Sequence, residues 1–232
     1  MIIDLIRHGA PDYTTDSLTT RGKEEAEALG LYMKSQGVTH LYVSPLGRAQ
    51  ETAAPVAAQT GLEAVTLPWT RELTGVYYDV PPFGRCAPFT LPAEVLYKEV
   101  PRPTYEGWEA QQYLDDPRVL PRIEEMRAGS DTLLAAHGYR RDGVLYRRDN
   151  PAKGDHIAVV CHGGLGVTWL SYLLNLPMVA AWAGFYLASA SITTVIIEDR
   201  GGDFVFPRMI RMGDVSHLRA AGLEDLLHGL HF

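Results

Sequence analysis

Met1-Ile2-Ile3-Asp4-Leu5-Ile6-Arg7-His8-Gly9-Ala10-Pro11-Asp12 is the stretch that decides the fold. The apolar, β-branched-rich run at residues 2–6 ends in a charged pair, which predicts a buried strand that stops at Arg7 and His8. Gly9 and Pro11 then turn the chain. Because ligands of open α/β sheets bind outside the carboxyl ends of the strands, this pattern places Arg7 and His8 where chemistry is usually done.

The Arg7-His8 pair is chemically specific. A neutral imidazole acts as a nucleophile, and an adjacent guanidinium holds an anion in front of it. Taken alone, the pair is equally compatible with a solvated strand end that carries a structural histidine, so the later motifs decide between the two interpretations.

A second strand end carries another arginine. Residues 41–43 predict a short strand, and Ser44-Pro45-Leu46-Gly47-Arg48-Ala49-Gln50-Glu51-Thr52 follows it. Ser44 is a good N-cap and Pro45 suits the first helical position. Arg48 then lies in the first helical turn beside free backbone N–H groups, which is a good place to hold an anion. The alternative is an exposed first-turn arginine with no such role.

A third strand end carries a second histidine. Residues 156–161 predict a buried strand, and His162-Gly163-Gly164 leads from it into an apolar helix. His162 should face the first site, with the positive end of the helix dipole behind it. Gly163 and Gly164 allow the backbone to approach an anion closely, although the glycine spacing is not that of a dinucleotide-binding fingerprint.

Taken in order, these three motifs resemble the histidine phosphatase superfamily, also called the phosphoglycerate-mutase-like family. The stretch Leu18-Thr19-Thr20-Arg21-Gly22 followed by Ala26 is also similar to the family, with Glu25 where members often have glutamine. The resemblance implies an α/β three-layer sandwich, with a mostly parallel sheet, helices on both faces and an inserted, partly helical cap.

The resemblance also implies roles for individual residues. His8 would accept the phosphoryl group, and Arg7, Arg48 and His162 would hold its oxygens, with Gly163 contributing to substrate binding. Glu72, which follows a predicted strand at residues 64–67 and precedes Gly75, matches the family's proton donor to the leaving group. Since glutamate before glycine is common, a solvated loop residue is the alternative for Glu72.

The organisation expected is a single domain over residues 1–232 with a cap insertion at about 76–155. Within that insertion, residues 120–136 predict a helix and residues 109–114 a shorter one. A small hairpin is expected around Asp142-Gly143. The insertion also holds basic and aromatic residues that are candidates for a substrate mouth, namely Arg85, Arg102, Arg140, Arg141, Arg147, Arg148, Tyr77, Tyr78, Phe83 and Trp108.

After the third motif, the sequence predicts two more strands and a terminal helix. The strands are expected at residues 191–198 and 204–212, joined by a tight turn at residues 200–203. A short terminal helix is expected at residues 223–230.

Composition limits the partners. The chain has 28 acidic and 21 basic residues and a net charge of −7, which argues against nucleic acid or an anionic membrane as a partner. The expected partner is a small phosphorylated substrate or inorganic phosphate, and a homodimer is left open. Cys86 and Cys161 have no disulfide or metal-ligand pattern. Neither a signal peptide nor a spanning segment is recognised, so a cytoplasmic location is expected.

The function expected is metal-independent hydrolysis of a small phosphomonoester through a phosphohistidine, with no cofactor and no metal. Ala10-Pro11 departs from the Glu-Ser or Glu-Thr continuation typical of the family, which counts against the first alternative, a phosphoglycerate-type mutase. A non-catalytic phosphate-ester-binding or regulatory protein is the alternative from another class. Phospholyase and protein-phosphatase activities also remain open, since the family has diversified through its cap.

Overall fold

The computed structural model describes residues 1–73, 75–98, 105–110, 113–198 and 200–223. Its strands, in chain order, are β1 (Ile2–Arg7), β2 (Pro11–Asp12), β3 (Ser17–Leu18), β4 (His40–Val43), β5 (Ala64–Thr66), β6 (Tyr78–Val80), β7 (Gly84–Cys86), β8 (Tyr139–Asp142), β9 (Leu145–Arg148), β10 (His156–Cys161), β11 (Ile192–Ile196), β12 (Phe204–Val205) and β13 (Arg208–Asp214). Its α-helices are α1 (Thr20–Met33), α2 (Gly47–Thr60), α3 (Ala93–Lys98), α4 (Leu120–Ala136), α5 (Gly163–Leu173), α6 (Met178–Gly184) and α7 (Ser216–Ala220).

A six-stranded sheet forms the centre of the molecule, in the order β13-β11-β1-β10-β4-β5. The strands β1, β10, β4 and β5 pair in parallel, and β11 runs antiparallel to both of its neighbours. The mostly parallel α/β sheet predicted from the sequence is therefore confirmed. The parallel pairing of β1 with β10 and of β10 with β4 brings the residues after these strands to one edge.

The side chains of β1 alternate between the two faces of the sheet and contribute to a core on each face. Ile3 and Leu5 are buried in a large cluster that includes Trp169 of α5. Ile6 is buried in a second cluster with Leu29 of α1 and other residues of α1 and α2. Because successive strand residues point to opposite faces, the two clusters form the two interfaces of a three-layer sandwich.

Residues 76–155, called the cap segment below, contain the hairpins β6–β7 and β8–β9 and the helix α4. The predicted helix over residues 120–136 and the turn at Asp142-Gly143 are confirmed. Leu134 of α4 lies in the same buried cluster as Ile3 and Leu5 of the central sheet. The cap segment thus shares the core on one face of the sheet.

One predicted strand and the turn before it differ from the structure. The strand expected at residues 204–212 is two strands, because β12 pairs with β9 of the cap segment while β13 pairs with β11. The tight hairpin expected between residues 191–198 and 204–212 is therefore wrong. The pattern at residues 109–114 contains a 3-10 helix at Trp108–Ala110, and residues 111 and 112 lie outside the described residues. The helix expected at residues 223–230 lies outside them except for residue 223.

No helix within the described parts of the chain has the length and apolar character needed to cross a membrane.

Candidate active site

His8 follows β1 directly and is 1% exposed. Its Nδ1 lies 2.7 Å from the carbonyl oxygen of Gly9, and a carbonyl only accepts, so Nδ1 donates the hydrogen. The other nitrogen, Nε2, accepts a hydrogen bond of 3.2 Å from Nε of Arg48. Burial, followed by the charge of Arg7, lowers the pKa of His8 to about 3, despite the opposing Gly9 hydrogen bond. The imidazole is therefore neutral at ordinary pH, with its lone pair on Nε2.

The loop after His8 is fixed by backbone hydrogen bonds. The Gly9 N–H donates to Oγ1 of Thr52 at 3.0 Å, and the Ala10 N–H donates to the buried carboxylate of Glu25 at 2.8 Å. A methyl group on Gly22 would lie 2.2 Å from the Ala10 carbonyl oxygen, so the loop and α1 are in close contact. Ala10, where the sequence departs from the family pattern, is thus fixed against α1 by its hydrogen bond to Glu25.

Arg48 lies in the first turn of α2 and is oriented by Asp16. One oxygen of the Asp16 carboxylate forms an ion pair with NH1 of Arg48, and the other accepts a 2.7 Å hydrogen bond from the Gly47 N–H. The guanidinium also lies over the ring of Tyr13, 5.4 Å from its centroid. Asp16 therefore fixes Arg48 with its Nε directed at His8.

The predicted cap of α2 is wrong. The sequence made Ser44 the N-cap, whereas the structure has Leu46 as the N-cap and begins the helix at Gly47. The Ser44 hydroxyl instead lies 2.7 Å from Nε2 of His162 and accepts a weaker bond from the Leu46 N–H. Asp16, from the distant loop, accepts from the free helix N–H that a local cap would have satisfied.

His162 follows β10 and is the N-cap of α5. It is fully buried, and its ring centroid lies 5.1 Å from that of His8. Burial and then the charges of its neighbours lower its pKa well below the usual range. Its Nδ1 has no hydrogen-bond partner among the described residues. The two histidines of the sequence motifs are thus adjacent and uncharged.

Arg7, the last residue of β1, lies on the other side of the site. Its NH1 donates to the carbonyl oxygen of Leu187 at 2.5 Å, and its Nε is buried with no partner in the described part of the chain. A Cβ on Gly163 would lie 3.4 Å from that Nε. The start of α5 therefore lies close beside the guanidinium.

Glu72 lies at the N-terminus of α5. Its carboxylate accepts hydrogen bonds of 2.8 Å from the backbone N–H groups of Leu73 and Leu165, and a longer bond of 3.4 Å from Gly164. The Gly164 and Leu165 N–H groups lie at the positive end of the α5 helix dipole, which attracts an anion. The structure thus places the Glu72 carboxylate beside the helix that follows His162.

Arg122 of α4 holds the segment around Glu72. Its guanidinium donates to the backbone carbonyl oxygens of Trp69, Arg71 and Leu73, at 3.3, 3.1 and 3.2 Å. Two of these carbonyls belong to the residues on either side of Glu72. The cap segment therefore fixes the position of Glu72, which the sequence patterns did not indicate.

A pocket of about 180 Å³ opens onto His8. Its walls include Arg7, His8, Glu72, Phe89 and Gly163. A Cβ on Gly164 would lie 2.6 Å from the ring of Phe89, so the cap segment closes directly over the start of α5. The pocket lining thus combines residues of the first and third sequence motifs with residues of the cap segment.

A cluster with metal-ligand chemistry lies elsewhere. His40, His137 and Asp155 bring one possible ligand atom each within 4.8 Å of one another, a grouping that the sequence did not indicate. Both ring nitrogens of His137 are engaged, Nδ1 with Asp155 at 2.6 Å and Nε2 with the Tyr42 hydroxyl at 2.9 Å. His40 and Asp155 lie at the starts of β4 and β10, at the edge of the sheet opposite His8. We assign this cluster a hydrogen-bonding role.

Comparison with known proteins decides the family. A probable phosphoglycerate mutase GpmB of Yersinia enterocolitica is 32% identical over 149 residues, which cover 58% of this chain and 68% of the relative. The chain belongs to the histidine phosphatase superfamily. The family model described as "Histidine phosphatase superfamily (branch 1)" matches residues 3–79, which include the Arg7-His8, Arg48 and Glu72 positions.

Two further matches cover nearly the whole chain. A probable phosphoglycerate mutase GpmB of Cronobacter sakazakii is 28% identical over 232 residues, covering 96% of this chain and 97% of the relative. The structure of a phosphoserine phosphatase variant from Entamoeba histolytica, in complex with phosphoserine, superposes with a TM-score of 0.64 and 20% identity. It covers 94% of this chain and 98% of that one. At that identity the second match shows the shared histidine phosphatase fold.

Several residues around the candidate site could not be predicted from the sequence. Asp16 acts on Arg48 across the fold, and no local pattern distinguishes it from other loop aspartates. Thr52 could have been predicted, because it lies one helical turn after Arg48, on the same face of α2.

Of the residues predicted to line a substrate mouth, Arg85 and Tyr77 line a cleft outside the pocket. Trp108 is buried and Arg141 pairs with Asp131, and Arg102 lies outside the described residues.

Proposed function

We propose that the protein hydrolyses small phosphomonoesters through a phosphohistidine on His8, without a metal. The observation that supports this most strongly is the state of the His8 imidazole. It is neutral, its Nδ1–H donates to the Gly9 carbonyl, and its Nε2 carries the lone pair, which accepts from Nε of Arg48 and becomes free to attack when that guanidinium donates to a phosphoryl oxygen instead. A nucleophile needs this protonation state at the attacking nitrogen.

The surrounding groups fit transfer of a phosphoryl group. The Nε2 lone pair attacks phosphorus, the P–N bond forms, and the bond to the leaving oxygen breaks. Arg7, Arg48 and His162 donate to the phosphoryl oxygens, with His162 donating once it is protonated or from its Nδ1. Charge spreads over these oxygens in the transition state, so fixed donors stabilise it without rearrangement. Removing one such donor typically costs about 3 kcal/mol, or on the order of a hundredfold in rate.

Glu72 is the proposed acid and base. In its protonated form Glu72 gives its proton to the departing alkoxide oxygen and becomes a carboxylate, which then takes a proton from the water that attacks phosphohistidine. That second step breaks the P–N bond, returns His8 to its neutral form and releases inorganic phosphate. Its fixed position beside α5, within the pocket that His8 lines, supports this role. We propose further that residues 76–155 serve as the cap of a single domain and select the substrate.

The mutase activity named for the relatives is the second candidate. It is supported by their sequence similarity over nearly the full chain. A mutase retains the phosphoryl group on the enzyme for return to the substrate, whereas a phosphatase releases phosphate. The Ala10-Pro11 departure favours the phosphatase, since it falls in the loop immediately after the nucleophile.

Turnover of an aryl phosphate in the presence of chelator tests the proposal. Wild type should release phosphate, and His8→Ala should lose activity entirely. Isomerisation of 3-phosphoglycerate without phosphate release would favour the mutase. Binding of inorganic phosphate that depends on Arg48, without turnover of any ester, would show a non-catalytic binder.

A further inference from the structure

A cleft of about 810 Å³ continues outward from the pocket above His8. The two cavities share the lining residues Tyr13, Glu72, Phe89 and Thr90. A phosphate bound at His8 therefore leaves the rest of its ester in the outer cleft. The volume of this cleft lies within the range of sites that bind small organic molecules.

Arginines dominate the walls of the outer cleft. Besides Arg48, which is paired with Asp16, the lining includes Arg71, Arg85, Arg118 and Arg122. The only carboxylate among the described lining residues is Glu72, which is engaged by backbone N–H groups. Such a concentration of positive charge is notable in a chain whose net charge is −7.

The carboxylates behind these walls do not neutralise all of the arginines. Arg118 pairs with Asp116. Arg71 and Arg122 share the one carboxylate of Glu125, so two positive charges meet a single negative charge. Arg71 is partly exposed, whereas Arg122 is mostly buried. The cleft therefore retains a positive surplus.

Arg85 adds to that surplus. It is exposed on β7 and forms no ion pair with any described residue. Its cross-strand partner is Asp79, yet the guanidinium lies over the ring of Tyr77 instead, 4.3 Å from the centroid. Stacking orders a guanidinium through its face and leaves the N–H groups at its edge free for a planar anion.

We propose that the substrate carries a second anionic group, a carboxylate or a further phosphate, and that Arg85, stacked on Tyr77, binds it in the outer cleft. This inference rests on the proposed function, because the first phosphate is taken to lie at His8. A guanidinium forms paired hydrogen bonds with either anion. The second group thus gives specificity for one kind of phosphomonoester while the chemistry stays at the inner pocket.

Matched pairs of phosphomonoesters test the inference. 3-Phosphoglycerate against glycerol 3-phosphate isolates a carboxylate, and fructose 1,6-bisphosphate against fructose 6-phosphate isolates a second phosphate. Wild type should favour the anionic member of at least one pair. Arg85→Gln should lower kcat/KM for that member on the order of tenfold and leave the other member unchanged. The pair that responds identifies the anion.

Two variants separate local binding from general electrostatics. Arg140→Gln removes the same charge from an exposed site on the other cap hairpin and should leave the preference unchanged. Asp79→Asn removes the neighbouring carboxylate and should keep or increase it. The inference would be overturned if Arg85→Gln lowered kcat/KM equally for both members of each pair, or for neither member.

A binding measurement keeps this test independent of turnover. In calorimetry on His8→Ala, 3-phosphoglycerate or fructose 1,6-bisphosphate should bind more tightly than its partner, and the difference should disappear in His8→Ala/Arg85→Gln. Absence of aryl phosphate turnover in wild type would contradict the proposed function alone. Equal binding of both members in both pairs would contradict the second-anion site alone.

Discussion

At the scale of single residues, the site depends on two histidines kept neutral beside two arginines. Burial is the largest cause of the lowered pKa of both His8 and His162, and the guanidinium charges act in the same direction. A histidine that stays neutral is available as a nucleophile over a wide range of pH. The same property makes the folded state sensitive to acid.

The stability of the protein should fall as the pH drops below about 6.5. Unfolded histidines take up protons there, whereas His8 in the folded state stays neutral down to a pKa of about 3. Acid therefore favours unfolding, by about 1.4 kcal/mol per pH unit for each such histidine. Urea unfolding of wild type and His8→Gln between pH 4 and pH 6 measures this effect. The free energy of unfolding should depend less steeply on pH in the variant, by the equivalent of about one proton.

The control for this prediction is the alkaline range. Above pH 7 His8 is neutral in both the folded and the unfolded state, so the slopes of the two proteins should coincide there. Identical slopes below pH 6 would show that His8 takes up its proton in the folded state as readily as in the unfolded one.

The residues after strand ends were predictable, but the groups that orient them were not. Arg7, His8 and His162 follow buried apolar runs, and the parallel pairing of β1 and β10 follows from such runs. Asp16 pairs with Arg48 across 32 residues of sequence, and Ser44 meets His162 across 118. Contacts of that kind depend on the finished fold, so local patterns carry no signal for them.

At the scale of elements, the cap helix α4 is attached to the core through close packing at one glycine. A Cβ on Gly129 would lie 2.2 Å from the indole of Trp69, and Trp69 meets Trp169 of α5 edge to face at 5.0 Å between ring centroids. The absence of a side chain at this helical position lets α4 approach the two tryptophans.

Gly129→Ala should destabilise the protein. Alanine favours an exposed helix interior over glycine by about 1 kcal/mol, so a gain would be expected from helix propensity alone. Overpacking against a buried indole typically costs about 1–3 kcal/mol, and we expect it to dominate. Chemical unfolding monitored by tryptophan fluorescence should show a lower free energy of unfolding.

Gly184→Ala is the matched control, because a Cβ at the end of α6 meets nothing within 4 Å. It should leave stability unchanged or raise it slightly. A gain in both variants would show that Trp69 moves aside without cost and that α4 is not fixed by this contact.

Periodicity predicted most of the elements, and it failed where pairing is short. The strand β12 has two residues and pairs with the cap hairpin through β9, so its partner could not be inferred from its neighbours in sequence. The start of α2 was misplaced because the free helix N–H is satisfied by Asp16 instead of by Ser44. Both errors arise from contacts between segments distant in the chain.

At the scale of the whole molecule, an acidic protein encloses a basic cleft. The net charge is −7, while the described lining of the outer cleft contains Arg48, Arg71, Arg85, Arg118 and Arg122. The sequence analysis named Arg48 and Arg85 among its candidates but not Arg71, Arg118 or Arg122, since isolated arginines form no sequence pattern. Local charge, not net charge, should govern the capture of an anionic ester.

Activity should therefore decrease with ionic strength. Salt screens attraction between the phosphate ester and the cleft over a Debye length of about 10 Å at 0.1 M. We expect kcat/KM for an aryl phosphate to fall roughly severalfold as sodium chloride rises from about 50 to about 500 mM, because salt weakens electrostatic steering of the substrate. An increase with salt would mean that repulsion by the net negative charge controls substrate approach.

The most direct test of the central claim is detection of a phosphoryl group on His8. We would mix Glu72→Gln with an aryl phosphate under chelator, quench at alkaline pH and analyse the protein by mass spectrometry with peptide fragmentation. The account predicts that one phosphoryl group accumulates on His8 of this variant and none on His8→Ala. Turnover by wild type with no phosphorylated His8 in either wild type or Glu72→Gln would contradict it.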